Sequence, residues 1–273
     1  MRFTKMEGLG NDYIYLNGFE PLPKNLPRLA LEVSRRRFGV GADGLVVVRP
    51  GRRGDFFMEM YNADGSQGEM CGNGIRCVGK YVYDKGLTKK RELIVETAAG
   101  PRKLELHLGG DGLVEQVTVD MGAPGIFAQR TITVEGKKIE GRPVSMGNPH
   151  FVLLCEDPAQ APVTTLGPLL ERHPSFPRRT NVEFVSVENE RSLHLRVWER
   201  GSGETLACGT GACASFAAAR REGRCSPEVT VHLPGGALKL RQEPAGRHIL
   251  MTGPARTVYE GELSNFRLTT KKG

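Results

Sequence analysis

The sequence alternates between short apolar segments and stretches rich in glycine, proline and charged residues. Apolar and β-branched runs of about four to eight residues, bounded by such turn-forming residues, are typical of β-strands. The pattern therefore predicts a chain dominated by short strands. The predicted strands are 45–48, 56–61, 92–96, 103–108, 151–154, 182–187, 193–198, 229–233 and 237–240, with a further strand-like stretch at 266–269.

Two segments predict helices instead, roughly 74–83 and 211–221. The second is small and apolar on almost every face, and a helix of that kind is buried all round. We therefore expect a barrel-like sheet wrapped around it. The first helix carries Arg76 and Lys80, so we expect it to be only partly buried.

The most informative pattern is an internal repeat. The sequence Cys71-Gly72-Asn73-Gly74 recurs as Cys208-Gly209-Thr210-Gly211, at an offset of 137 residues (208 − 71). The same offset relates Gly10-Asn11 to Gly147-Asn148. We infer two homologous halves, 1–118 and 119–258, with the tail 259–273 packing back onto the first.

The predicted fold class is α+β. It consists of two pseudo-symmetric domains, each a mostly antiparallel, barrel-like sheet around a central helix. The length of 273 residues suits two domains, and the share of hydrophobic residues, 39%, is ordinary for a globular protein.

The net charge of +7 raises the question of a nucleic-acid partner. The basic clusters 35–37 and 52–53 contain no aromatic residues and accompany no nucleic-acid-binding signature, so we expect no nucleic-acid partner. We expect no membrane partner either, because no apolar run approaches about 18 residues. Without a signal-peptide pattern, we expect a cytoplasmic protein whose six cysteines are reduced.

The repeated cysteines each stand just before a predicted helix. The first N–H groups of a helix have no intrahelical partner, and the helix end carries a partial positive charge. We therefore expect a lowered thiol pKa at Cys71 and Cys208. The adjacent free N–H groups can hold a carboxylate.

Two such units suit the inversion of a carbon acid. One thiolate would remove a Cα proton and the opposite thiol would return one to the other face. We interpret the remaining cysteines, Cys77, Cys155, Cys213 and Cys225, as small buried hydrophobic residues. The cysteine spacings are not those of zinc ligands, and the glycine-rich segments do not fit nucleotide motifs, so we expect no metal and no cofactor.

Longer motifs in the same regions resemble the diaminopimelate epimerase family over almost the whole chain. The segments that carry the resemblance are 8–12, 61–66, 70–77, 147–150, 179–184, 198–201 and 208–211. The resemblance implies interconversion of LL- and meso-2,6-diaminopimelate without pyridoxal phosphate or metal, in lysine and peptidoglycan precursor synthesis.

The resemblance also assigns roles to individual residues. Cys208 would be the base and Cys71 the acid in the LL-to-meso direction, with His150 and Glu199 modulating their pKa values. Backbone N–H groups of Gly72, Asn73, Gly209 and Thr210 would hold the reacting carboxylate. The other substrate-binding residues would be Asn11, Asn62, Asn148, Asn181, Glu199 and Arg200. Tyr259, in a segment resembling the family's dimer contact, would support a homodimer.

Two positions depart from the family pattern, and two other functions stay open. Gly44 stands where many members have Gln, so that side-chain contact is absent, and Glu7 stands where His is common. A proline racemase-like enzyme would use the same two-thiol mechanism, although its first motif typically has His where this chain has Asn73. A thiol redox protein would use Cys71 and Cys208 as a switchable disulfide.

Overall fold

The computed structural model describes residues 1–243 and 247–263 and separates into two units. The first unit is Met1–Thr118 with the described part of Pro254–Gly273, and the second is Val119–Gly253. Residues 254–258, expected in the second half, thus lie with the first. The strand-like stretch at 266–269 lies outside the described residues.

In the first unit, a strand hairpin and a helix precede a second group of strands and a longer helix. The elements are β1 (Arg2–Gly8), β2 (Asn11–Asn17), α1 (Leu26–Ser34), β3 (Gly44–Pro50), β4 (Phe56–Asn62), β5 (Gln67–Gly68), α2 (Gly72–Asp84), β6 (Glu92–Glu96), β7 (Arg102–Leu108) and β8 (Val114–Asp120), which crosses the boundary between the units.

The second unit repeats that order. Its elements are β9 (Gly125–Ile126), β10 (Arg130–Val134), β11 (Lys137–Ser145), β12 (Pro149–Leu154), a 3-10 helix (Pro158–Gln160), α3 (Val163–Glu171), β13 (Asn181–Asn189), β14 (Ser192–Glu199), β15 (Gly203–Thr205), α4 (Gly209–Arg221), β16 (Glu228–Leu233), β17 (Gly236–Gln242) and β18 (Ile249–Pro254). The last strand, β19 (Arg256–Glu262), pairs antiparallel with β1, which explains why residues 254–258 belong to the first unit.

The strand pairings show that both units have one topology. In the first unit β1–β2, β3–β4 and β6–β7 are antiparallel, whereas β2–β3 and β4–β6 are parallel. In the second, β11–β12, β13–β14 and β16–β17 are antiparallel, whereas β12–β13 and β14–β16 are parallel. The predicted fold, two similar α+β halves with mainly antiparallel sheets, is confirmed.

The central helix of each unit runs for 13 residues, from Gly72 to Asp84 and from Gly209 to Arg221. The expected all-round burial of α4 is confirmed, but the expected partial burial of α2 is wrong. Arg76 is 0% exposed, because its Nε donates to the carbonyl of Pro254 and its Nη1 to that of Gly72. Lys80 is buried too, donating to the carbonyl of Val114 and pairing with Asp84. Long cationic side chains are thus buried where backbone carbonyls and a carboxylate receive them.

None of the helices in the described residues has the length and apolar character that crossing a membrane requires.

Helix α3 packs so closely on its sheet that the residue at its centre, Gly167, has no room for a side chain. A Cβ at Gly167 would lie 2.6 Å from Cβ of Trp198 on β14. At the offset of 137 residues, the corresponding pair in the first unit is Ala30 on α1 and Tyr61 on β4. Glycine therefore allows α3 an approach that alanine would block.

We predict that Gly167→Ala destabilises the protein, although alanine is the better helix former by about 1 kcal/mol. Overpacking in a filled interior costs about 1–3 kcal/mol. Alanine before Pro168 is also disfavoured in a helical conformation. The urea midpoint should fall, whereas Leu169→Ala, on an exposed position of α3, should change it little. A raised midpoint for Gly167→Ala would contradict the tight packing.

Candidate active site

Cys71 is the N-cap residue of α2. Its backbone is extended, with φ −128° and ψ 119°, and its sulfur accepts a hydrogen bond from the N–H of Gly74 at 3.3 Å. The helical ladder begins with the N–H of Ile75, which donates to the Cys71 carbonyl. The sulfur therefore occupies the position that serine or aspartate oxygen usually takes at a helix start.

Asn11, which the resemblance assigns to substrate binding, lies beside this thiol. The Cys71 thiol donates to Oδ1 of Asn11 over 3.1 Å. Nδ2 of Asn11 donates to Asp43 at 2.7 Å, and the N–H of Asp12 donates to the same carboxylate oxygen. Burial raises the pKa of Asp43 above its usual value, although the bond from Asn11 opposes this. Asp43, which sequence reasoning missed, fixes the amide so that its oxygen faces the sulfur.

Tyr13 is a second group at Cys71 that the sequence did not reveal. Its side chain lies near the thiol, and burial, followed by the nearby sulfur, raises the Tyr13 pKa well above its usual value. The hydroxyl thus keeps its proton and can act as a donor. A Cβ at Gly44 would lie 2.8 Å from the Tyr13 ring and 2.2 Å from the Tyr61 carbonyl. This backbone has no room for the Gln that the resemblance to the family would place here.

Asn62 and Asn73 stand near the same helix start in sequence but have different environments. Asn62 ends β4 and its Nδ2 donates to Oγ of Ser66 at 2.9 Å, within a turn that needs Gly65 at φ +82°. Asn73 is buried in the first turn of α2. The N–H groups of Gly72 and Asn73 precede the helical ladder, as carboxylate binding requires.

Cys208 is the N-cap residue of α4 and repeats the geometry of Cys71. Its φ and ψ are −124° and 110°, and its sulfur accepts from the N–H of Gly211 at 3.4 Å. Oγ1 of Thr210 lies 3.5 Å from the sulfur. The ladder begins with Ala212, which leaves the N–H groups of Gly209 and Thr210 ahead of it.

The expected lowering of the thiol pKa is wrong for Cys208. Burial raises its pKa well above the usual value, and the carboxylates of Glu199 and Glu183 raise it further. The hydrogen bonds from Thr210 and Gly211 act in the opposite direction but do not outweigh desolvation. Cys208 is therefore a protonated thiol near neutral pH and a strong base once ionised.

A chain of polar side chains leads from Cys208 into the core of the second unit. Nδ2 of Asn148 donates to Oγ1 of Thr210 at 3.3 Å, and Nε2 of His150 lies 3.0 Å from Oδ1 of Asn148. Nδ1 of His150 lies 2.6 Å from Oε1 of Glu183, with both side chains fully buried. The predicted residues Asn148, His150 and Thr210 thus form one network, and Glu183 is a member that the sequence did not reveal.

The remaining predicted residues of the second unit lie around the end of β14. Asn181 donates to the Pro149 carbonyl at 2.8 Å and accepts from the N–H of Arg200 at 2.9 Å. Glu199 accepts from the Thr205 hydroxyl. The Arg200 side chain is exposed and donates to the carbonyl of Arg178 at 3.2 Å. Within the described residues, no group of three His, Cys, Asp or Glu side chains could hold a metal ion.

Comparisons with known proteins identify the relatives of this chain. A family model described as "Diaminopimelate epimerase" matches residues 3–127 and 143–258. The diaminopimelate epimerase of Moorella thermoacetica is 50% identical over 96% of this chain and 99% of its own length. That of Acetivibrio thermocellus is 49% identical over 96% and 98%. A probable proline racemase from Agrobacterium radiobacter K84, solved with bound carbonate, has the same fold, with a TM-score of 0.75, 17% identity, and coverage of 98% and 94%.

The environment of Cys208 predicts how the substitution Glu199→Gln changes the rate at which the Cys208 thiol is alkylated. Removal of a carboxylate that raises the thiol pKa should lower that pKa, and below the pKa the thiolate fraction then increases. A thiolate of lower pKa is also a weaker nucleophile, but on a logarithmic scale this loss is only about half as large as the gain in thiolate fraction. Alkylation should therefore become faster. Rates of iodoacetamide modification at Cys208, followed by peptide mass spectrometry, should rise several-fold near pH 8.

Glu204→Gln is the matched control, because Glu204 pairs with Arg196 and is not among the groups that raise the Cys208 pKa. An unchanged or slower alkylation profile in Glu199→Gln would show that Glu199 does not oppose ionisation of Cys208.

Proposed function

The chain belongs to the diaminopimelate epimerase family, and we propose that it converts LL-2,6-diaminopimelate to the meso isomer with Cys208 and Cys71 as base and acid. The reaction serves lysine and peptidoglycan precursor synthesis. The observation that carries the proposal is the occurrence of a thiol at the N-cap of the central helix in both units, in one backbone conformation.

The chemical step needs one thiol on each face of the reacting carbon. The Cys208 thiolate takes the Cα proton and becomes a thiol, while the Cys71 thiol gives its proton to the opposite face and becomes a thiolate. The configuration is inverted, and a later proton exchange with solvent restores the enzyme. Burial raises the Cys208 pKa, so the base is the minor thiolate form, which is strongly basic toward a weakly acidic C–H bond and whose fraction increases with pH.

Backbone N–H groups are suited to stabilise the negative charge that develops on the substrate carboxylate. We assign this role to Gly72, Asn73, Gly209 and Thr210, which precede the helical ladders of α2 and α4. Preorganised donors of this type stabilise a developing anion without reorganising during the reaction.

The distal end of diaminopimelate carries an ammonium and a carboxylate, which need acceptors and donors together. We assign the distal contacts to Asn62, Asn148, Asn181 and Arg200, and a further contact to Asn11. Arg200 can offer a bidentate fork to the carboxylate. Its exposure in the structure supports the assignment, since the guanidinium is accessible to a ligand.

We place the enzyme in the cytoplasm. The proposed chemistry requires free thiols, and Cys71 and Cys208 form no disulfide in the structure. Glutathione and thioredoxin keep cytoplasmic cysteines reduced, so this compartment preserves both catalytic groups.

We also propose a homodimer that uses β19. Tyr259 is 42% exposed and Val258 is 52% exposed on this strand, and the Tyr259 ring meets Phe3 edge-on with centroids 5.9 Å apart. Exposed apolar side chains on a strand are typical of association surfaces.

Analytical ultracentrifugation should give the mass of two chains at micromolar concentration, and Tyr259→Ala should weaken association by at least about tenfold, as removal of an interface aromatic costs more than about 1.4 kcal/mol. Phe127→Ala, which removes an exposed ring from the other unit, should leave the dimer intact. A wild-type monomer would exclude this assembly.

The activity is tested by incubating the protein with LL-diaminopimelate in D₂O. The meso product should carry one solvent deuterium at the inverted Cα. Cys71→Ser and Cys208→Ser should each reduce turnover by at least about a hundredfold, since each removes a general acid or base. Cys155→Ser, which changes a thiol away from both helix starts, should retain activity. Turnover by the Cys71→Ser, Cys208→Ser double variant would end the two-thiol mechanism, and absence of exchange in the wild type would favour a redox role.

A further inference from the structure

A fully buried carboxylate lies near the candidate base, against the first turn of the same helix. Glu183 lies on β13, and its Oε1 is 2.6 Å from Nδ1 of His150 on the neighbouring parallel strand β12. Both side chains are 0% exposed. Burying a carboxylate and an imidazole is costly unless each has a close partner, so the pair needs an explanation beyond packing.

The hydrogen bonds define where the protons of this pair lie. Nδ2 of Asn148 donates to Thr210, so the Asn148 oxygen faces Nε2 of His150 and can only accept. Nε2 therefore carries hydrogen. At the other side of the ring, a carboxylate oxygen and Nδ1 approach to 2.6 Å, which requires a proton between them. Ring and carboxyl together thus hold both protons and have no net charge.

Glycine leaves space for this carboxyl group beneath α4. A Cβ at Gly211 would lie 3.0 Å from Oε1 of Glu183, and the N–H of the same glycine donates to the Cys208 sulfur. Oε2 of Glu183 has no hydrogen-bond partner within the described part of the chain. The carboxyl group is therefore held by His150 and lies against the first turn of the helix that the thiol caps.

We propose that Glu183 is a positioning residue for Cys208: through a proton shared with His150, it fixes the ring so that Nε2–H orients Asn148 toward Thr210 and the thiol. The proposal rests on the proposed function, in which Cys208 is the base. Besides the effect of its charge on the Cys208 pKa, Glu183 acts through His150, Asn148 and Thr210. The fixed amide keeps Asn148 and Thr210 in one arrangement as the thiol gains and loses its proton.

Two substitutions separate this role from a purely structural one. Glu183→Gln keeps the shape and lets an amide N–H donate to Nδ1, so that Nε2 retains its hydrogen and Asn148 its orientation. Glu183→Leu fills a similar volume but leaves Nδ1 without a partner. Removing one partner of a buried pair is destabilising, so the kcat of each variant is measured below its own unfolding temperature. If Glu183 positions the site, kcat of Glu183→Leu should fall roughly 10- to 100-fold, as for other partners that orient a functional histidine.

The expected result is a difference in turnover between the two variants. Glu183→Leu should unfold at a lower temperature than the wild type and, assayed while folded, show the reduced kcat. Glu183→Gln should keep kcat within about threefold of wild type, since its orientation of His150 is unchanged. Equal activity of a folded Glu183→Leu and the wild type would overturn the proposal, as would equal losses in both variants. If Glu183→Leu does not fold, Glu183→Met, with an unbranched and adaptable side chain, replaces it. Glu188→Gln, an exposed carboxylate on the same strand, is the matched control.

A measurement without substrate keeps this test separate from the proposed function. In ¹⁵N NMR spectra, the His150 signal is identified by its loss in His150→Gln among the six histidines. Nε2 should carry hydrogen in the wild type and in Glu183→Gln, whereas in Glu183→Leu the ring should populate both tautomers. A single Nε2–H tautomer in Glu183→Leu would overturn the proposal even if the protein epimerises diaminopimelate. If the His150 tautomers are as expected but the protein does not epimerise diaminopimelate, only the proposed function is refuted.

Discussion

The use of a cysteine sulfur as the cap of a helix is the constraint on which both candidate sites depend. Gly74 donates its N–H to the Cys71 sulfur, and Gly211 does the same for Cys208. Each thiol is thereby held at a helix start, beside N–H groups that have no hydrogen-bond acceptor within the helix. A residue that caps a helix, and that we propose also transfers a proton, has little freedom to move, so the surrounding side chains must adapt to it.

Burial and the helix end shift the pKa of the Cys208 thiol in opposite directions, and the effect of burial is the larger. The N–H of Gly211 and the hydroxyl of Thr210 favour the thiolate, whereas desolvation and two carboxylates oppose it. The helix start thus chiefly orients the sulfur, and we propose that its N–H groups also bind an anion. The raised pKa of the thiol comes mainly from its burial.

The sequence predicted the strands 45–48, 92–96 and 229–233 and both central helices because their apolar runs are bounded by turn residues. It did not reveal α1 or α3, which have nine residues each and depend on packing against the sheet. Arg76 was expected near solvent. No local sequence pattern shows that its guanidinium donates to two backbone carbonyls in the folded chain. Glu183 was missed for a similar reason, since its partner His150 is 33 residues away.

The close contact between Gly167 and Trp198 restricts how the two halves can diverge from here. Ala30 and Tyr61 occupy the corresponding positions of the first half, so one helix accepts a Cβ that the other cannot. An alanine at position 167 would require α3 to move away from β14 at the same time. A single substitution does not make both changes, so this position of the second half is closed to the residue that its counterpart in the first half carries.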